Sequence, residues 1–252
     1  MVQIDFGKRR IALTDAYTVT GAQHVVPFTW WNNLPIVNLT LTLPDDTKVS
    51  GRFIVDLGAN AAVGVTTPFA RAHGMAETLE TIAPPPVTEM GGGSRFLVGR
   101  MPGLRLGGIQ LEDVVIGISA NTEGVFASTE VDGLIGSELW RRFNLVLDYA
   151  NQVIVLEPRA GWNAPFEYDM SGLMLGRDGD VFVAQTVMDT APAGESGMRA
   201  GDRIVRVNGK PSSALTVDEV RNLFKQPGRS VTLVVERAGE RLEIAFTTRR
   251  LV

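Results

Sequence analysis

The sequence contains no cysteine, and that one absence removes disulfides, thiolate metal sites and thiol nucleophiles together. Its two histidines, His24 and His73, are too few for a histidine-rich metal centre. One of them could serve a serine nucleophile, but the chain has neither a Gly-x-Ser-x-Gly elbow nor a Walker-type phosphate loop. Positive charge is also in short supply: 24 basic residues against 28 acidic ones give a net charge of -4. No cationic field is available for phosphate backbones or anionic lipid, so nucleic acid is not an expected partner. Long apolar runs are missing too. The stretch from Val114 to Ala120 falls far short of the roughly 20 residues that cross a bilayer, and no basic-then-apolar secretory pattern opens the chain. Chemistry is left to carboxylates, hydroxyls and backbone groups, with no metal and no cofactor expected.

What is present is 252 residues, 44% of them hydrophobic, enough to bury one large core or two ordinary ones. From Pro35 to Pro158 short apolar or alternating runs are broken by Gly, Pro and Asp: Ile36 to Leu43, Gly51 to Val55, Phe96 to Val98, Leu104 to Leu106, Val114 to Ile118, Leu145 to Tyr149 and Val153 to Leu156. The pattern predicts mostly antiparallel β structure. Pro68 and Gly74 bracket a short helix at Thr67 to His73, and Ser137 with Glu138 opens another reaching Phe143. Residues 158 to 168 carry two further prolines and a glycine and read as a connector. Beyond it lie strands at Leu173 to Leu175, Val181 to Val187, Arg203 to Val207, Val231 to Arg237 and Leu242 to Thr247. A helix at Val217 to Lys225 begins with the capping box Thr216 to Glu219 and stops at Pro227-Gly228.

The N-terminal dozen residues, Val2 to Leu13, lie without a gap on Leu145 to Leu156: strand, Asp-aromatic, turn, strand. Any two β-hairpins share some of this pattern. The sharper reading is that the chain opens with the closing hairpin of an earlier copy of the same module.

One run raises a question of its own. Arg52-Phe53-Ile54-Val55-Asp56-Leu57-Gly58-Ala59-Asn60 drives a buried-looking strand into a carboxylate. An Asp in that place is commonly a turn former or helix cap. Its neighbours suit a site as well: Gly58 admits another backbone, Ala59 keeps the space small, and Asn60 can bond the turn. This stretch resembles the active-site loop of retropepsin-like aspartic proteases, an apolar strand running into Asp, Thr or Ser, Gly and Ala. The likeness continues with a glycine-rich flap at Gly91, Gly92 and Gly93, then Leu134-Ile135-Gly136 leading into a short helix, then a closing hairpin at Leu145 to Pro158.

That resemblance implies an aspartic endopeptidase in which Asp56 and a second aspartate share one proton, because like charges about 3 Å apart cannot both ionise. One carboxyl then activates water while the other protonates the peptide carbonyl. The chain carries a single such loop, so the partner would come from a homodimer mate or from a preceding module that the repeat at Val2 suggests. Where the family has Thr or Ser this chain has Leu57, whose missing hydroxyl would leave a buried partner unsatisfied at about 1–3 kcal/mol. The alternative is therefore a catalytically degenerate, peptide-binding scaffold. Asp132, before Gly133, reads as a turn residue.

Residues 166 to 252 resemble a bacterial PDZ domain through Met170-Ser171-Gly172-Leu173, Thr190 to Ala193, and the run Ser196 to Gly209. The resemblance implies strand addition of a peptide, with the backbone N–H groups of Ser171, Gly172 and Leu173 receiving a terminal carboxylate, or with internal extended segments as the ligand in place of free C-termini. It also implies a groove walled by Val217, Val220 and Arg221, with Phe224 assigned to the core. Together these readings predict a mainly β protein with short helices: a terminal hairpin (1–20), a retropepsin-like closed barrel (21–160) and a PDZ-like α+β domain (161–252). The expected partner is a protein or peptide substrate, and the expected setting is a bacterial periplasm or cell envelope.

Overall fold

A computed structural model describes residues 1–17, 23–89 and 92–252. Strand accounts for 46% of the chain and helix for 13%, the mainly β class that the broken apolar runs predict. Two compact units emerge, residues 1–81 with 96–166, and residues 82–95 with 167–252. The division expected near residue 20 lies outside the described residues. The second division falls after Phe166 rather than at 160, because the connector is bound to the first unit. The Arg142 guanidinium donates to the carbonyls of Trp162 and Ala164 and lies 3.5 Å over the Phe166 ring.

The first unit contains β1 (Val2–Asp5), β2 (Arg10–Leu13), β3 (His24–Trp31), β4 (Leu34–Thr42), β5 (Lys48–Val55), β6 (Val63–Val65), α1 (Thr67–Ala72) and α2 (Met75–Thr78). β7 (Thr81–Ile82) straddles the division, and β8 (Val87–Glu89) and β9 (Gly92–Ser94) pair as a hairpin on the other side of it. The first unit resumes with β10 (Phe96–Leu106), β11 (Ile109–Ser119), β12 (Gly133–Ile135), α3 (Ser137–Trp140), β13 (Phe143–Asp148) and β14 (Val153–Pro158). Strands β4, β5, β12, β6, β11 and β10 follow one another in the sheet, and β10 pairs back onto β4 through Gly103↔Thr42 and Leu104↔Leu41, closing a six-stranded barrel. Leu39, Leu41, Phe53, Val63, Met101 and Ile116 fill it with essentially no exposure.

The sequence pattern splits β10 in two at Met101-Pro102, yet it is one strand. The ladder passes over Pro102, which has no N–H to give, and Asp113 on the facing strand takes a left-handed φ of 53°. α1 forms as predicted, its Thr66 hydroxyl accepting from the Phe69 N–H. α3 stops at Trp140 instead of reaching Phe143, and Ser137 does not cap it; its hydroxyl is turned to the Ala59 carbonyl.

The two hairpins at the edge of this unit repeat each other in detail. β1 pairs β2 through Val2↔Leu13 to Asp5↔Arg10, and β13 pairs β14 through Leu145↔Leu156 to Asp148↔Val153, the same register position for position. Asp5 Oδ1 accepts the Lys8 N–H at 2.9 Å, and Asp148 Oδ1 accepts the Asn151 N–H at 3.1 Å. The matching turn residues Arg9 and Gln152 are left-handed at φ 52° and 53°. β1 and β13 pair antiparallel as Val2↔Leu147, Gln3↔Val146 and Ile4↔Leu145. Val2 thus faces the counterpart of Ile4, Ile4 the counterpart of Val2, and Gln3 its own counterpart, so the two hairpins are related by a two-fold axis through Gln3 and Val146.

The second unit carries β15 (Leu173–Asp178), β16 (Val181–Val187), α4 (Pro192–Glu195), β17 (Arg203–Val207), β18 (Lys210–Pro211), α5 (Val217–Phe224), β19 (Ser230–Arg237) and β20 (Glu240–Thr247). The sheet order is β15-β16-β17-β19-β20, with β18 on β17. Phe182, Ile204, Phe224, Leu233 and Val235 are its fully buried centre. The capping box at the start of α5 is complete: the Thr216 hydroxyl accepts from Glu219 N–H, and the Glu219 carboxylate accepts from Thr216 N–H at 2.7 Å. Among the described residues, no helix in either unit is long and apolar enough to cross a membrane.

Candidate active site and peptide groove

β5 ends on a carboxylate because a third strand is threaded beside it. β12 runs parallel to β5 (Ile135↔Val55) and antiparallel to β6 (Ile135↔Val63), and the Asp56 N–H continues the ladder to the Ile135 carbonyl at 3.0 Å. That insertion leaves little room. A Cβ on Gly133 would sit 2.1 Å from the Gly64 carbonyl oxygen, and one on Gly136 would sit 2.2 Å from that of Ala61. Behind β12 the fully buried Trp140 ring donates its Nε1 to the Ile135 carbonyl at 2.7 Å, fixing the strand from below. Leu134, Ile135 and Gly136 thus lie directly beside the Asp56 loop.

The loop is then closed by its own acid. Asp56 Oδ1 accepts the N–H groups of Gly58 (2.8 Å) and Ala59 (3.2 Å), and the Ala59 carbonyl in turn accepts both the N–H and the hydroxyl of Ser137 at 2.7 and 2.8 Å. Asn60 is exposed and, among the described residues, its side chain makes no hydrogen bond; the turn is held by Asp56 instead. The Asp56 side chain is half-buried, and its Oδ2 accepts no hydrogen bond from the described residues. Leu57 is 37% exposed and points away from the core. Among the described residues the one buried side-chain polar atom without a partner is Asn144 Oδ1, which lies on β13 and not on the Asp56 loop. Beside the loop, Ile36, Ile54, Val131 and Leu134 make a separate apolar cluster with Ala59 and Phe126 packed on it.

Asp132 is not a second carboxylate for Asp56. It lies level with Arg52, four strand positions back, or roughly 13 Å at about 3.3 Å per residue. Its Oδ2 accepts the Arg52 N–H at 2.7 Å and its backbone bonds Arg52 and Thr66. It bridges neighbouring strands and is not the turn residue that its place before Gly133 suggests. Among the described residues no cluster of His, Asp and Glu could hold a metal ion. Of the flap glycines, Gly92 and Gly93 lie on β9, while Gly91 lies outside the described residues.

Among the described residues of the second unit β15 is an edge strand, paired with β16 alone, and α5 packs against it. Val217 and Arg221 are half-buried on α5, whereas Val220, at 1% exposure, belongs to the core with Leu173 and Phe224 and offers no open wall. The loop at Ser171, Gly172 and Leu173 is already engaged. Asp169 Oδ1 accepts the N–H groups of Ser171 and Gly172 at 2.8 and 2.7 Å, and the Ser171 hydroxyl accepts that of Leu173 at 3.1 Å while donating to Asp169 at 2.7 Å. The signal for this lay one residue ahead of the quoted loop: an Asp followed two and three places later by Ser and Gly closes on its own backbone.

A family model of the PDZ domain matches residues 183–237. Comparison with curated proteins returns no match. Among solved structures, the photosystem II D1 C-terminal processing protease overlaps 37% of this chain and 26% of its own length at 23% identity, with a TM-score of 0.32, so the chain spans about a quarter of that protein. A retropepsin-like aspartic protease from Rickettsia conorii overlaps 54% of this chain and 89% of its own, at 14% identity and a TM-score of 0.34. The PDZ domain of a carboxy-terminal protease from Vibrio cholerae, in complex with peptide, overlaps 34% of this chain and 99% of its own at 21% identity and a TM-score of 0.30. On the family match, the second unit of this chain contains a PDZ domain.

Proposed function

We propose that the first unit is one half of a paired-aspartate peptidase site, with Asp56 as its carboxyl, and that the PDZ-bearing unit holds an extended stretch of the protein substrate. The observation that carries this reading is the two-fold relation between the β1–β2 and β13–β14 hairpins. A module that already contains a second copy of its own closing hairpin, paired about a two-fold axis, is shaped to sit opposite another module of the same kind. The uncovered residues of β2 agree with it: Ile11 and Leu13 are 71% and 84% exposed. A module seated on them would bring its own aspartate loop.

In that assembly the ionised member of the pair takes a proton from a water as its oxygen bonds to the peptide carbonyl carbon, and the protonated member gives its proton to the carbonyl oxygen. Collapse of the tetrahedral species breaks the C–N bond, the amine leaving with a proton returned by the pair. The open Oδ2 of Asp56 faces this task, while Oδ1 is fixed by Gly58 and Ala59.

A second reading has its own support. Oδ1 is satisfied within the loop and Leu57 supplies an exposed apolar side chain where the resembled family has a hydroxyl, which suits a module that only holds peptides. Hydrolysis of an unfolded protein at mildly acidic pH separates the two. The chain assembled with a second aspartate-bearing module is expected to cleave, and Asp56→Asn to lower the rate by about 10²–10⁴. Equal rates for the two proteins would leave only the peptide-holding reading.

A further inference from the structure

The backbone donors that the resemblance assigns to a ligand's terminal carboxylate are occupied by a carboxylate of the chain itself. Asp169 Oδ1 takes the N–H groups of Ser171 and Gly172 and the Ser171 hydroxyl, and the Leu173 N–H is spent on that hydroxyl. The loop is not free to turn these donors outward. The carbonyls of Ser171 and Gly172 accept from Ala193 and Met188 at 3.0 and 2.9 Å, and the Met170 N–H bonds the Phe224 carbonyl at the end of α5 at 2.9 Å. Gly172 is left-handed at φ +79°, and a Cβ there would come 2.2 Å from that of Ala191.

We infer that Asp169 is an internal substitute for a ligand's C-terminal carboxylate, so that the edge of β15 takes extended segments that run on past the loop or end in a neutral group, and turns away free C-termini. An arriving carboxylate would find no backbone donor at Ser171, Gly172 or Leu173 and would meet a like charge. Burial already pushes the Asp169 carboxyl above its usual pKa in spite of its three donors, so the loop has little capacity for a second negative group. Strand addition needs an unpaired edge, and among the described residues β15 pairs on one side alone, with β16. For a protein that handles unfolded substrates this selects chain interiors over chain ends. The inference rests on the reading of the second unit as a peptide-holding module.

The test uses two fluorescein-labelled decapeptides of one apolar-ended sequence, one ending in a carboxylate and the other in a carboxamide. They are titrated by anisotropy against the full chain and its Asp169→Asn and Asp169→Ala variants. The unaltered chain is expected to bind the carboxamide at least tenfold more tightly than the carboxylate. Asp169→Asn, which keeps the shape and removes the charge, is expected to narrow that ratio, and Asp169→Ala, which frees the donors, to close or reverse it. Tighter binding of the carboxylate by the unaltered chain overturns the inference. So does a preference that neither variant changes. Binding of neither peptide overturns the peptide-holding reading and takes the inference with it. Should Asp169→Ala fail to fold, the Asn variant decides.

Discussion

The hairpins β1–β2 and β13–β14 have one turn, one register and one capping acid, and opposite fates. Ile154 and Leu156 on β14 are 0% exposed, while their counterparts Ile11 and Leu13 on β2 are 71% and 84% exposed. The difference comes from the next strand out. β3 pairs with β14 through Ile154↔Val26 and Leu156↔His24, whereas β2 is the edge of the sheet among the described residues. Local sequence thus sets the hairpin, and its neighbour decides whether the apolar residues contribute to stability. An uncovered edge of this kind is one that proteins ordinarily cover or charge.

The largest test of that contrast is to truncate the matched leucines. Leu156→Ala removes a fully buried side chain and is expected to cost about 2–5 kcal/mol, while Leu13→Ala, already in water, is expected to stay within about 0.5 kcal/mol, both read from urea midpoints of the isolated chain. The same Leu13→Ala change should become costly once a second module is joined to β2. An unchanged, near-zero effect in the joined protein would break the proposed pairing.

How much of this was legible beforehand follows the range of the forces involved. The hairpin repeat, the capping box at Thr216 and the α1 cap at Thr66 are local, the caps closing over three residues and the hairpin pairs lying no more than eleven apart, and the sequence carries them. The closing of β10 onto β4 and the slot for β12 are not local. Gly133 and Gly136 look like ordinary turn residues until the carbonyls of Gly64 and Ala61, far off in sequence, arrive against them. β3 escaped notice because Pro27 and the paired tryptophans Trp30-Trp31 disturb its alternation, and β6 because it is three residues long. At the candidate site, the strand running into Asp56 and the Leu134-Ile135-Gly136 run are visible as residue types, but their adjacency is not. The bonds from Gly58 and Ala59, and the use of Asp169 as the loop's own ligand, depend on side-chain direction that spacing does not show.

A smaller effect sharpens the comparison through the capping acids. Both carboxyls lie below their usual pKa, Asp148 through the Asn151 side-chain amide and backbone N–H, Asp5 through the Lys8 backbone N–H. A depressed folded-state value means that the stabilisation is complete above the ordinary carboxylate pKa and is lost as pH falls through the folded one. Urea midpoints followed from about pH 5 down to about pH 2 should therefore decline less steeply in Asp148→Asn and Asp5→Asn than in the unaltered chain. Asp148, which also binds the Asn151 amide at 2.7 Å, should show the larger change.

The smallest effect asks whether the two turns are one conformation or merely look alike. Arg9 and Gln152 hold left-handed backbones that cost an L-residue about 1–2 kcal/mol, and glycine there removes that strain while adding about 0.5–1 kcal/mol of chain entropy in the unfolded state. The net gain from Arg9→Gly or Gln152→Gly is thus expected to be under about 1.5 kcal/mol. Because the term depends on the φ of one residue and not on what covers the hairpin, the two gains should agree within about 0.5 kcal/mol despite the opposite burial of the strands they join. Unequal gains, measured by urea unfolding, would mean that the exposed hairpin relaxes away from its buried counterpart. The two-fold relation on which a facing module depends would then be lost at its N-terminal half.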